Sequence, residues 1–225
     1  MSTLLTLEKN EPVTHDTRHL VFTKPEDFNF TPGEAVKMKI LREGLRDEER
    51  PFSPVSDPEG DTIEFIIKSY PDHNGVTKEI PTLRKGEMVE VSDPHGAIHD
   101  KGPGVFIAGG AGITPFLGIL RERLRQNGSL SDCTLIFSNK TERDIICREE
   151  FENAPGLRTV FTVTEEPDGE HVAHRPVDRD FLADHIDPTG KHFYVCGPKP
   201  MISDVVDDLK SLGVPEARIV IEDLD

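Results

Sequence analysis

The sequence predicts a two-domain chain: an N-terminal antiparallel β-barrel or sandwich, then an α/β unit with a parallel sheet. Three observations carry this. Before residue 103, short apolar or alternating runs recur between Gly/Pro turns. After it, continuous apolar strands alternate with helix-length amphipathic segments. The pattern changes at "HDKGPG", which reads as the hinge, so the units are placed at 1–102 and 103–225.

In the first unit the strand-like runs are "LLTLEKN", "HLVFTK", "AVKMKIL", "TIEFIIKSY" and "EMVEVS". The turns "TPGE", "DPEG", "PDHNG" and "RKGE" punctuate them. In the second, "GVFIAGG" is a strand buried on both faces, followed by a helix over "TPFLGILRERLRQNG". Thr114 suits its N-cap, Pro115 its first turn and Gly128 its stop. Phe116, Leu120 and Leu124 recur on one face. Strands are expected at "CTLIFS", "RTVFTVT", "HFYVCG" and "ARIVIE". Helices are expected around "IICREEFE", "RDFLADHI" and "MISDVVDDLKSLG".

Composition narrows the function classes. The chain has 225 residues, 35% of them hydrophobic, enough to bury a core. No run of eighteen apolar residues occurs, so no membrane span is expected, and the first residues do not read as a secretory signal. The net charge of -16 argues against nucleic-acid binding and reads as a solvated acidic surface. Cys133, Cys147 and Cys196 are too dispersed for a disulfide framework or a four-thiolate cluster, so a reducing, cytoplasmic setting is expected.

Four stretches invite a chemical reading. "ERPFSPVS" holds Arg50, Pro51, Phe52 and Ser53 between prolines that remove backbone donors. It reads either as a strand edge with Phe52 in a core, or as a rigid holder for a cofactor with a phosphate, a flat ring and a polar edge. "AGGAGITP" sits between a buried strand and a helix start, where amides and the helix dipole favour an anion. Gly109, Gly110 and Gly112 permit a tight turn and close approach there. In "NGVTKEIPTL", the amides of Gly75, Val76 and Thr77 can cradle another phosphate, or simply form a capped turn. "YVCGPKPM" puts Cys196, Gly197 and Pro198 at the end of a parallel strand, on the same crevice side as Gly110.

Together, "RPFSPVS", "NGVTKEIPTL", "GGAGITP", "CGPKPM" and the terminal "VIEDLD" occur in the order found in the ferredoxin–NADP+ reductase superfamily. The chain resembles that family, with its flavodoxin reductases and cytochrome b5 reductases, over nearly its whole length. The resemblance implies a flavin-binding barrel followed by a nicotinamide-nucleotide domain. It implies that Arg50 pairs with flavin phosphate, that Phe52 lies against the ring system, and that the Ser53 hydroxyl reaches its reactive edge. Gly75, Val76 and Thr77 match the diphosphate turn, which favours FAD over FMN. Gly109, Gly110, Gly112, Ile113 and Thr114 would hold the pyrophosphate of NADH or NADPH. Cys196, with Gly197 and Pro198, would pack beside the nicotinamide, and Glu222 matches the family's near-terminal acid. Ser53, Cys196 and Glu222 are thus the implied catalytic groups.

The implied activity is hydride transfer from NAD(P)H to FAD, then release of single electrons to a ferredoxin, flavodoxin or cytochrome. The alternatives are a subunit of a larger enzyme or a non-catalytic nucleotide sensor. The chain departs from the family in three places. Phe52 replaces the usual tyrosine, no aromatic residue ends the chain, and "EEPDGEHVAHRP" replaces a Gly-x-Ile pattern.

Lys140, at the end of the second parallel strand, is the residue expected to tune nucleotide choice, and the stretch "IFSNKTERDII" leans toward NADH. Asp93, His95 and His99, and His171 and His174, are closely spaced but lack companion ligands, so no metal is expected. A monomer is expected. Lys78, Arg84, Lys85, Arg121, Arg123 and Arg125 are the basic groups available to dock an acidic carrier, with Arg123 pointing away from the other two on its helix.

Overall fold

The computed structural model describes residues 2–45, 48–72, 75–96, 98–165 and 172–222. The first sheet contains β1 (Ser2–Pro12), β2 (Thr17–Thr23), β3 (Val36–Ile40), β4 (Arg50–Phe52), β5 (Thr62–Lys68) and β6 (Met88–Ser92), in the order β4-β3-β6-β1-β2-β5. Every pairing is antiparallel. The two edge strands approach each other where Pro54 bridges to Phe65 and the Val55 amide donates to Glu64 O at 2.8 Å, nearly closing a barrel. Pro51 and Pro54 fit this geometry, because β4 is a three-residue edge strand with few ladder bonds to lose. Leu5, Leu7, Phe22, Met38, Phe65 and Val91 fill the interior. The short helix α1 (Val76–Glu79) and a 3₁₀ turn at Ile80–Thr82 lie between β5 and β6.

The second sheet runs β7 (Gly104–Gly109), β8 (Thr134–Asn139), β9 (Arg158–Val163), β10 (Ala173–His174), β11 (His192–Cys196) and β12 (Ile219–Ile221). Its order is β10-β9-β8-β7-β11-β12 and its pairings are parallel. The helices are α2 (Thr114–Asn127), α3 (Arg148–Asn153), α4 (Arg179–His185) and α5 (Lys199–Ser211). Alternate residues of β7 enter different cores. Phe106 and Ala108 pack with α2, while Ile107 packs with Phe181, Val205 and Leu209 of α4 and α5. The central strand is therefore apolar throughout, as a sheet covered on both sides requires. The order reverses at β7, with β8 on one side and β11 on the other, which opens a crevice at their carboxyl ends.

One expectation about α2 needs correction. Thr114 does not cap α2. A 3₁₀ turn over Gly110–Ile113 precedes it, Ile113 takes the N-cap place, and the Thr114 hydroxyl donates back to Ala111 O at 3.1 Å. Gly128 does end the helix, in the left-handed region at φ 69°. The segment between the two sheets is held at Asp100, Lys101 and Gly102. The buried Tyr194 hydroxyl accepts from the Lys101 amide at 2.9 Å and donates to Gly102 O at 2.6 Å, and Arg123 pairs with Asp100. A buried phenol needs partners, and the linker supplies them.

The barrel and the parallel sheet also share a core. Val55, Ile66 and Ile98 join the apolar cluster around α2. Gly118 allows the approach, since a Cβ there would stand 3.0 Å from Pro54 O. Arg121 donates to Val55 O at 2.9 Å across the junction.

Candidate functional site

Between the barrel and the carboxyl ends of the parallel strands lies a cleft of about 750 Å³. From the barrel it is lined by Pro51, Phe52, Ser53 and Thr77. From the parallel sheet it is lined by Gly109, Gly110, Gly112, Thr114, Lys140, Cys196, Gly197, Pro198 and Glu222. Residues from Ala35 to Glu222 thus face one space. Phe52 packs against the barrel core and also lines the cleft. Ser53 is buried with its residue on the cleft wall.

Arg50, Gly75 and Val76 lie outside the cleft lining. They form a second feature around its barrel end. Gly75 holds φ 109°, a conformation that side chains rarely adopt, and turns the chain into α1. The Arg50 guanidinium is beside it, with Nη2 3.7 Å from where a Cβ on Gly75 would stand. Arg50 is half exposed and meets Glu48 at 3.3 Å. This places a planar cation against the turn that enters α1, an arrangement suited to phosphate oxygens. Val76 is buried in the barrel core, so only its backbone is available there.

On the other wall, Gly110 adopts φ 52°, and a Cβ there would meet nothing within 4 Å. The turn presents backbone toward open space. Gly112 is constrained in the opposite sense, since a Cβ would lie 2.5 Å from Cys196 O and 2.6 Å from Gly197 N. Its missing side chain lets the β7–α2 turn rest against the end of β11. Ile113 is fully buried in the core beneath α2, which confines any contact with a ligand to its backbone.

Cys196 and Glu222 come together although they belong to different strands. The Cys196 thiol donates to Glu222 Oε2 at 3.7 Å. Burial pushes the Cys196 thiol far up, with the nearby Glu222 charge adding to it, so the thiol stays protonated. Burial also raises Glu222, opposed by the hydrogen bond from Cys196. The folded protein therefore holds the Glu222 proton more tightly than the unfolded chain does. This group's contribution to stability is present below the ordinary glutamate range and is lost as pH rises through its raised folded value. Glu222→Gln should flatten that decline when melting temperatures are followed from about pH 4 to 8. Parallel curves for the two proteins would remove Glu222 as the source.

The sequence reading missed two charged residues of the cleft region. Lys68, at the end of β5, lines the cleft. Glu165 follows β9, and its carboxylate meets Lys140 Nζ at 2.8 Å. Glu165 stands at the end of the strand neighbouring β8, a proximity that only strand order reveals.

Lys85 pairs with Glu8, Arg121 with Glu150, and Arg125 with Glu122. Arg123 is largely covered and bound to Asp100. Each of these four residues is engaged by a carboxylate of this chain. Asp93, His95 and His99 do not gather as a ligand set, and His171 lies outside the described residues. Among the described residues, His15, Asp16 and Asp144 are the one group spaced for a cation, and the Lys68 ammonium already lies 3.0 Å from Asp16 and 3.1 Å from Asp144. No helix among the described residues is long and apolar enough to cross a membrane.

Comparison with known proteins agrees with this geometry. The family described as "Oxidoreductase FAD-binding domain" matches residues 4–99, and "Oxidoreductase NAD-binding domain" matches residues 106–207. The chain is 30% identical to NADH-cytochrome b5 reductase 1 of Aspergillus terreus, over 95% of this chain and 79% of the relative. The flavohem-like FAD/NAD-binding domain of nitric oxide dioxygenase from Vibrio cholerae superposes with a TM-score of 0.85 at 22% identity, covering 96% of each chain. A ferredoxin NADP+ reductase from Neisseria gonorrhoeae, with bound FAD and NADP, superposes with a TM-score of 0.79 at 20% identity, over 94% of this chain and 92% of that one.

Proposed function

Since the chain belongs to the ferredoxin–NADP+ reductase superfamily and is an NAD(P)H-dependent flavoprotein oxidoreductase using FAD, we propose that it is an NADH-preferring reductase of a one-electron protein carrier. The observation that carries the assignment of roles is the cleft itself. It joins the Pro51–Ser53 wall of the barrel to the glycine turn and Cys196–Glu222 of the parallel sheet. The two units divide at residues 102 and 103 in this reading.

FAD, when bound, supplies the acceptor for hydride and the site from which electrons leave singly. The protein's part is placement. Arg50 and the Gly75–Thr77 amides hold the phosphate end, Phe52 presents an apolar face, and Ser53 offers a hydroxyl. Gly109, Gly110, Gly112, Ile113 and Thr114 shape the turn on which the nicotinamide nucleotide rests its pyrophosphate, at the start of α2. Cys196, kept as a neutral thiol, fills the space beside the nicotinamide with Gly197 and Pro198, and Glu222 holds the thiol in orientation. Anaerobic addition of NADH tests the whole reading. The visible flavin absorption should bleach in one turnover and return on adding an oxidised carrier. A protein that binds FAD but does not bleach is no reductase.

The carrier is a cytochrome in this reading, as the name of the Aspergillus relative suggests; a ferredoxin or flavodoxin is the competing acceptor class. The paired state of Lys85, Arg121, Arg123 and Arg125 favours a carrier that is not strongly acidic.

Nucleotide preference rests on Lys140 and Glu165, both exposed at the rim. Glu165 can accept from ribose hydroxyls, neutralises Lys140 and repels a 2′-phosphate. Glu165→Gln should therefore raise the NADPH/NADH ratio of kcat/KM by about two- to fivefold, the scale of an exposed ion pair. Lys140→Ala should lower it. An unchanged ratio in both variants would place the adenosine ribose elsewhere.

A further inference from the structure

Lys68 is held by carboxylates from both halves of the molecule. Its side chain is only 14% exposed, and Nζ lies 3.0 Å from Asp16 Oδ2 in the barrel and 3.1 Å from Asp144 Oδ1 beyond β8. Each carboxylate is fixed by its own half. Asp144 Oδ2 accepts from the Thr141 amide at 3.0 Å and from the Thr141 hydroxyl at 2.5 Å. Asp16 Oδ1 accepts from the Thr14 and Thr17 hydroxyls at 3.0 and 3.1 Å. His15 Nε2 stands 3.6 Å from Asp16 and 3.8 Å from Asp144. Although burial works against both charged carboxylates, the Lys68 and threonine bonds hold them below their ordinary values, and Lys68 is raised in turn.

The opposite flank is joined differently. There α2 is packed onto the barrel through Val55, Ile66 and Ile98, with Arg121 bound to Val55 O. That contact is mainly apolar, and Ile66 reaches from it to the cleft wall. The Lys68 cluster is ionic and borders the cleft. Beside it, Asn139 ends β8 with its residue 6% exposed and with neither Oδ1 nor Nδ2 partnered. A sealed amide without protein partners is costly, and Asn139 lies on the cleft wall, where a ligand's polar groups can meet it.

We propose that Asp16 and Asp144 act as an internal competitor for Lys68, holding its ammonium as a bridge between the two halves until an anionic nucleotide enters the cleft. This rests on the nucleotide site argued above. An ammonium shared by two carboxylates has little attraction left for a third anion. Removing one carboxylate frees part of it, and nucleotide then binds more tightly. Asp144 and Asp16 are positioning residues in this scheme and set affinity rather than the rate of the chemical step.

The test is stopped-flow reduction of the intact FAD-loaded protein over a range of NADH concentrations. Asp144→Asn keeps an oxygen for Thr141 and removes the charge. It should lower the NADH concentration for half-maximal rate by about threefold to tenfold, with the limiting rate little changed. Asp16→Asn, on the barrel side, should shift it in the same direction and carries the test if Asp144→Asn fails to fold. In a Lys68→Met background both shifts should vanish, because the competitor has nothing to compete for. Unchanged half-saturation in the single variants, or shifts that persist in Lys68→Met, would overturn the proposal. Absence of any flavin reduction in the unaltered protein would instead strike the reductase reading itself.

Discussion

Arg50→Ala should lose flavin on dialysis while the barrel stays folded. Arg50 makes little that the barrel needs. It is half exposed, its pair with Glu48 spans 3.3 Å, and it donates to the neighbouring Glu49 O at 2.7 Å. Exposed pairs of this kind contribute little to stability. The barrel's own core, from Leu5 to Val91, does not include it. Against a phosphate the same guanidinium makes charge-assisted bonds worth about 1.5–3 kcal/mol, a roughly ten- to hundredfold loss of affinity on truncation. Arg50→Lys should fall between, since it keeps the charge and loses the fork. Phe52→Tyr should change retention far less, because a ring of the same shape remains in contact with the core and the cleft. FAD occupancy after exhaustive dialysis, read from absorbance against protein, checks all three. Full occupancy in Arg50→Ala would remove Arg50 from the phosphate site, whatever the enzyme then catalyses.

How far the sequence revealed this molecule depends on the range of each signal. The strand–helix alternation after residue 103, the glycine stop of α2 and the apolar β7 are local patterns, and each was readable from neighbours a few positions apart. The five motifs were readable as motifs, and their order carried the family. What could not be read was which side chains meet across the fold. Glu165 was invisible as Lys140's partner because β8 and β9 are joined by a helix, and only their parallel register brings the two ends together. Lys68 gave no signal in the sequence, because its partners Asp16 and Asp144 come from separate halves. The partners of the α2 arginines were out of reach for the same reason. Helical spacing says which face a residue occupies, but not that Asp100 waits opposite Arg123 or Glu150 opposite Arg121. The displaced start of α2 has a different cause. Thr114 has the residue type of an N-cap, yet the glycines before it let the chain begin turning four residues earlier.

Gly112→Ala should separate the two halves of the chemistry. A Cβ at Gly112 would meet Cys196 O at 2.5 Å and Gly197 N at 2.6 Å, and both obstacles are backbone. No side chain can swing aside, so the β7–α2 turn and the end of β11 must move apart. Overpacking of this type costs about 1–3 kcal/mol. The larger effect falls on geometry, because the displaced groups are those that set the nucleotide turn against Cys196. A misplacement of about 1 Å at reacting groups can cost on the order of a hundredfold in rate. The limiting rate of anaerobic flavin reduction by NADH should therefore fall by about that factor. FAD occupancy should stay near that of the unaltered protein, since the barrel packs around its own core. Gly110→Ala supplies the contrast. Nothing lies within 4 Å of its Cβ, so β11 need not move, but φ 52° is strained for alanine and the methyl group projects into open space. That variant should raise the NADH concentration needed for half-maximal reduction more than it lowers the limiting rate. If Gly112→Ala instead reduces its flavin at the original limiting rate, the close contact between the glycine turn and Cys196 does not set the hydride-transfer geometry, and Cys196 leaves the site with it.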